Sequence, residues 1–265
     1  MFIHNLNPLL ISFGFFEIRW YSLAYIFGIL IGWWLGKKII NFKIKNGEIN
    51  FDIRIFDDLI TYIIISMIIG GRTGYVLFYN FLYYLDNPIN IFKIWEGGMS
   101  FHGALIGVII GTYIFSNKVK ISSLFFLDIV AVVAPIGLFL GRITNFINSE
   151  LYGKPATVFW SVIFPLIDDI PRHPSQLYEA ILEGIFLFVI LIFIISRKNT
   201  KKGTCSGFFL ILYGFFRVLA EQFREPDSHL GYIWESLSMG SVLSLIMILT
   251  GILMLLIINK NESYK

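Results

Sequence analysis

Three arginines, Arg72, Arg142 and Arg217, stand at the ends of long apolar runs. An arginine in hydrocarbon costs about 2.5 to 3.5 kcal/mol on insertion scales, so each needs an interface, an acidic partner or an anionic headgroup. Arg217 follows Tyr213 by four residues and precedes Glu221 by four, so on a helix all three share one face. There the carboxylate holds the guanidinium either for chemistry or as a plain structural salt bridge.

Between Gly141 and Gly153 the chain sets Arg142, Asn145, Asn148 and Glu150 beside apolar residues, a set that a passive loop does not need. His102 lies in Gly97–Gly107, where glycines allow close backbone approach at the start of a helix. It reads as catalytic or as structural. Arg172–Glu179 opens another helix, with Ser175 as its N-cap, Glu179 in its first turn and His173 in support. His102, His173 and the carboxylates lack recognisable ligand spacing, so neither a metal nor a cofactor is expected. Cys205, the single cysteine, reads as an ordinary thiol at a membrane edge.

The elements that must position these groups are membrane helices. Of 265 residues 56% are hydrophobic and 15% charged, and the mean hydropathy is +0.73, a balance that places the chain in a bilayer. About 20 apolar residues make a span. Seven are expected, near Trp20–Ile40, Asp57–Tyr79, Met99–Phe115, Ser122–Leu140, Tyr178–Ile195, Gly207–Ala220 and Leu237–Ile258. The first is read as a retained helix and not a cleaved signal.

Thirteen basic residues, among them Lys37, Lys118, Arg197, Lys201, Lys260 and Lys265, fall on one side and five on the other. The positive-inside rule then places the N-terminus outside and the C-terminus in the cytoplasm. The clustering of charge suits topology and anionic lipid, and argues against nucleic acid. With no repeat and no linker, residues 1–265 read as one all-α polytopic domain. Its long connection, Arg142 to Leu177, lies outside. Tyr21, Arg72, His102, Arg142, Asn145, Glu150, Arg172, Arg217 and Glu221 are then expected at the outer leaflet.

Five stretches in order carry a family resemblance: Gly70–Tyr75, Gly97–Gly107, Gly141–Gly153, Arg172–Glu179, and Tyr213–Arg217 with Glu221–Asp227. Through nearly its whole length the chain resembles the phosphatidylglycerol to prolipoprotein diacylglyceryl transferases. The family commonly has glycine where Ala104, Thr144 and Ser149 stand, and tryptophan at Tyr152.

The resemblance implies transfer of the diacylglyceryl group of phosphatidylglycerol to the thiol of a lipobox cysteine in the signal peptide of a prolipoprotein. A thioether forms and glycerol phosphate leaves. The thiol belongs to the substrate, so Cys205 is idle. The setting implied is the bacterial inner membrane, among membrane lipids, with the site toward the outer leaflet. Arg142 and Arg217 are assigned to the phosphate, because guanidinium binds it bidentately and keeps its charge. His102 is the candidate general base for the thiol, with Glu150 and the catalytic candidate Glu221 as open alternatives. Glu221, Tyr21, Asn145, Glu150, Arg72, Gly153 and Tyr213 are expected to bind or orient.

A transporter or channel for an anionic solute is the alternative from another class. It calls for polar residues continuing toward the cytoplasmic halves, which read as nearly uniform Ile, Leu, Phe and Val. An intramembrane hydrolase lacks its motifs, with no Gly-x-Ser-x-Gly and no His-Glu-x-x-His.

Overall fold

Helix dominates the computed structural model, which describes residues 2–14, 16–225, 232–234 and 237–260. The helices are α1 (Trp20–Lys45), α2 (Ile55–Phe78), α3 (Phe81–Asp86), α4 (Phe101–Val119), α5 (Ser123–Ile147), α6 (Ser175–Glu179), α7 (Leu187–Ile195), α8 (Thr204–Glu221) and α9 (Met239–Lys260). A π-helical turn, Ala180–Phe186, joins α6 to α7, so that Ser175–Ile195 runs as one rod. Pro226, Asp227 and Lys265, used in the motif and charge readings above, lie outside the described residues.

Among the described residues six helices are long and apolar enough to cross a membrane: α1, α2, α5, the Ser175–Ile195 rod, α8 and Gly240–Lys260 of α9. The chain is a multi-pass membrane protein. The remaining expected span, Met99–Phe115, is the helix α4, but it is not among the six. Polar Ser116, Asn117 and Lys118 occupy its last turn. Along α7, Leu187, Leu191 and Ile195 are buried while Val189 and Phe193 are exposed. A helix apolar on both faces is one that meets lipid.

One boundary that differs from expectation bears on the site. Helix α5 runs to Ile147, so Arg142 and Asn145 are helical and the long connection starts only after them. Hydropathy ended the helix at the first charge, whereas a charge with buried partners continues it. Short strands lie outside the helices, and hydropathy gave no sign of them. They are β1 (Phe2–Ile3), the hairpin β2 (Leu9–Phe13) and β3 (Phe16–Arg19), then β4 (Val162–Ile163), β5 (Pro171–Arg172), and the pair β6 (Tyr232–Trp234) and β7 (Leu237–Ser238). Strand β1 pairs in parallel with β4, and β4 antiparallel with β5.

The chain forms two compact units, Met1–Ile39 with Asp128–Lys265, and Ile40–Leu127. In the smaller unit α2 lies against α4 through glycine. A Cβ on Gly74 would sit 2.8 Å from Gly103 Cα, and one on Gly103 would run into the Gly70 carbonyl oxygen. This is the close approach expected of that motif.

In the larger unit α1 crosses α5 where a Cβ on Gly28 would sit 3.2 Å from Gly137 Cα. Helix α8 meets α9 at Gly214, whose Cβ would lie 2.7 Å from the Ser244 carbonyl oxygen. Buried Asp128 of α5 accepts from Gly203 N at 2.6 Å and from Ser206 N and Oγ at 2.7 and 2.8 Å. It thereby caps the start of α8, satisfying amides that the helix leaves open.

Candidate active site

The larger unit gathers most of the expected residues around a feature the sequence reading overlooked. Glu179 and Glu183, one turn apart on the Ser175–Ile195 rod, have side chains fully removed from solvent. Arg142 Nε lies 2.8 Å from Glu179 Oε2, and its Nη2 lies 3.1 Å from Glu183 Oε2. Arg217 Nη1 lies 3.0 Å from Glu179 Oε1 and 3.6 Å from Glu183 Oε1. Arg217 Nη2 also pairs with Glu221 Oε1, as the four-residue spacing requires. Arg224 Nη1 completes the shell, 3.4 Å from Glu179 Oε1.

Three guanidinium groups therefore face three carboxylates at the ends of α5, α6 and α8. Pairing offsets the desolvation that would otherwise make any one of them prohibitive. The π-helical turn starts directly after Glu179 and contains Glu183, and such turns recur at functional sites. Among the six charged side chains Arg142 and Arg217 keep the most surface, 16% and 12%. Tyr213 is buried one turn before Arg217 and stacks on Phe209 at 5.7 Å.

One turn beyond Arg142, Asn145 Nδ2 donates to Tyr21 Oη at 2.6 Å and to Glu150 Oε2 at 3.0 Å. Glu150 is held further by Asn148 Nδ2 on its Oε1 at 3.2 Å, and its carbonyl accepts from Gln176 Nε2 at 2.6 Å. The turn that presents it passes through Ser149, at a φ of 57°. That is the left-handed region favouring glycine, which accounts for the glycine the family commonly carries there. Here Ser149 Oγ lies 3.1 Å from Nδ1 of buried His4, whose ring packs against Phe146 and Phe164.

Gly153 is placed by packing. A Cβ there would strike the His173 carbonyl oxygen and sit 2.7 Å from that of Phe223. Its own carbonyl accepts from Arg172 Nη1 at 3.1 Å. Arg172 also pairs with Asp168 and rests over the Tyr152 ring at 4.9 Å, so a ring persists where the family commonly has tryptophan. Hydrogen bonding to Arg172 holds the Asp168 carboxyl below the usual carboxylate range. Ser175 is not a cap: its hydroxyl donates to the Leu151 carbonyl at 3.0 Å, and Pro174 occupies the cap position. His173 supports, as expected, with Nδ1 3.1 Å from Tyr178 Oη. Burial lowers its pKa from 6.5.

Two expected residues lie in the smaller unit. Arg72 is buried, and its donors reach the carbonyls of Ile91, Asn90, Lys93, Gly97 and Gly98 at 2.5 to 3.2 Å. This holds the segment between α3 and α4 in place. His102 is exposed in the first turn of α4, which Ser100 caps through Oγ to Gly103 N at 3.2 Å.

Glu183 was missed and Glu179 read only as a first-turn residue. The signal was present, because two carboxylates four residues apart in an apolar run carry the same insertion penalty that singled out the arginines. Arg224 lies within the Glu221–Asp227 stretch, where nothing local names Glu179 as its partner.

The model of the family described as prolipoprotein diacylglyceryl transferase matches residues 8–257. The chain belongs to that family. A phosphatidylglycerol–prolipoprotein diacylglyceryl transferase of Rickettsia typhi is 53% identical over 253 residues, covering 95% of this chain and 96% of the relative. Enzymes of the same name from Rickettsia felis and Rickettsia bellii are 51% and 49% identical over 250 and 255 residues, covering 93% and 95% of this chain and 95% of each relative. As a member of this transferase family the chain has its five motifs inside the matched span, and the charged cluster is built from three of those motifs together with Glu183.

Proposed function

We propose that this protein moves the diacylglyceryl group of phosphatidylglycerol onto the lipobox cysteine of prolipoproteins. The observation that carries the reading is the buried cluster of Arg142, Arg217, Arg224, Glu179, Glu183 and Glu221 in a member of this transferase family. The thiolate attacks the glyceryl carbon bonded to the phosphate oxygen. A C–S bond forms, the C–O bond breaks, and its electron pair leaves with glycerol phosphate.

The electrostatic task is to hold the charge that gathers on the leaving phosphate. Arg142 and Arg217 meet it, with the glutamates fixing the orientation of each guanidinium before the lipid arrives. Glu179 Oε2, Glu183 Oε1 and Arg217 Nη1 sit at ion-pair distance without aligned hydrogen bonds. A phosphate can therefore take up donor capacity without stripping a fully satisfied pair. Tyr21, Asn145 and Glu150 orient the substrate at the adjoining turn. His102 is the base that takes the thiol proton.

In this reading α4 is the seventh span, and the N-terminus lies outside the bacterial inner membrane. The site then opens to the outer leaflet, where exported precursors present their lipobox. The two compact units act as one catalytic polypeptide, since the family match runs through both.

Incubating the purified protein with phosphatidylglycerol and a lipobox peptide tests the reading. A peptide mass gain of one diacylglyceryl group, with released glycerol phosphate, is expected. It should vanish with a Cys-less peptide and with Arg142→Ala. No gain from folded protein would overturn it.

A further inference from the structure

At the far ends of the site helices, where α7 gives way to α8, four basic residues occupy six positions: Arg197, Lys198, Lys201 and Lys202. Three of them, Arg197, Lys198 and Lys201, rim a cavity of about 590 Å³. Below the rim the walls are hydrocarbon, from Ile190 and Ile194 of α7, Phe208 of α8, and Leu255 and Ile258 of α9. Among the described residues lining it none is acidic.

The rim is built and not splayed. Lys201 Nζ donates to Asn259 Oδ1 at 3.1 Å, tying the α7–α8 turn to α9. The Arg197 guanidinium lies over the Phe193 ring at 4.7 Å. Thr200 Oγ1 reaches the Arg197 carbonyl at 2.8 Å and that of Ile194 at 3.0 Å. Asn199 adopts a φ of 58°, a left-handed turn that asparagine tolerates.

Cations at the mouth and alkyl walls beneath match an amphiphile with an anionic head and acyl chains. A soluble anion uses only the rim, and a neutral lipid uses only the walls. We propose that this cavity holds an anionic diacyl phospholipid, its phosphate at Arg197, Lys198 and Lys201 and an acyl chain along Ile194, Phe208 and Leu255. Basic pockets between membrane helices suit such headgroups. From Thr204 to Arg217 the helix α8 climbs about 20 Å, at about 1.5 Å per residue. The lipid therefore sits in the opposite leaflet from the charged cluster, and is a different molecule from any donor bound there.

Native mass spectrometry of the full chain in detergent, titrated with phosphatidic acid or with phosphatidylcholine of the same acyl chains, tests this. Wild type should retain one phosphatidic acid that the triple variant Arg197→Gln/Lys198→Gln/Lys201→Gln loses, with affinity falling about a hundredfold for three cations each worth a factor of about five. Ile194→Trp, which fills the apolar wall and keeps every charge, should lose it too. The second variant decides the matter if the first fails to fold. Equal retention by wild type and Ile194→Trp would mean surface charge alone and overturn the proposal. So would equal retention of phosphatidylcholine, or displacement of the lipid by inorganic phosphate.

Discussion

Asn145 of α5 donates to the Tyr21 hydroxyl of α1 at 2.6 Å, and the pair meets because the helices cross at Gly28 and Gly137. Tyr21 precedes the crossing by seven residues and Asn145 follows it by eight, so both rise a little over 10 Å to the same level, at about 1.5 Å per residue. Tyr21→Phe should slow transfer to a lipobox peptide by about fivefold, the worth of one hydrogen bond near 1 kcal/mol. Asn145→Ala should cost more, because it also removes one of the two amides that hold the Glu150 carboxylate. Full rates in both variants would remove the pair from the site.

Glu183→Ala strips Arg142 of a buried partner, and breaking such a pair costs about 3 to 5 kcal/mol. The melting temperature in detergent should drop. Glu183→Gln with Arg142→Gln should recover part of that stability and none of the transfer. Arg142→Lys keeps the charge but not the planar fork, and transfer should fall about a hundredfold, the scale of losing one transition-state donor. Full activity in Arg142→Lys would refute the phosphate role.

Gly153→Ala forces a methyl group against two carbonyl oxygens, those of His173 and Phe223. Overpacking of this kind costs about 1 to 3 kcal/mol. Thermal unfolding should move down while Michaelis constants for folded protein stay near wild type. A raised Michaelis constant with unchanged melting would assign Gly153 to ligand contact instead.

Hydropathy located the spans because hydrocarbon is intolerant of charge, and the same intolerance picked out Arg142 and Arg217. Partners were harder to see. Glu179 and Glu183 lie 37 and 41 residues from Arg142 in sequence, and nothing local says which distant helix supplies a countercharge. The strands escaped notice because β1 and β4 are each two residues long and pair across 160 positions. Arg72 shows the reverse case. It was singled out by burial cost, yet its counterparts are main-chain carbonyls, which any residue type provides.

His4 and Ser149 should be coupled. Burial holds the His4 pKa below 6.5, so the folded state favours the neutral ring. Its stabilising contribution is full above the unfolded pKa near 6.5 and is lost as pH falls through that value toward the lower folded pKa. Melting curves should show a loss of stability below about pH 6.5 that His4→Phe removes. Ser149→Gly should relieve the left-handed strain and reduce the penalty of His4→Ala, a non-additivity that a double-mutant cycle reads directly. Strict additivity would show that the contact does no coupling.

Asp128 and Arg142 ride on one helix fourteen residues apart, while Ser206 and Arg217 ride on another eleven residues apart. Because Asp128 grips the first turn of α8, the two rods share a common datum. The depth at which Arg217 meets Glu179 is gauged from the other face of the membrane, like two rulers clamped at their zero marks. Inserting or deleting one residue between Ser206 and Arg217 rotates and lifts the arginine out of alignment, although every charged group of the cluster is still encoded.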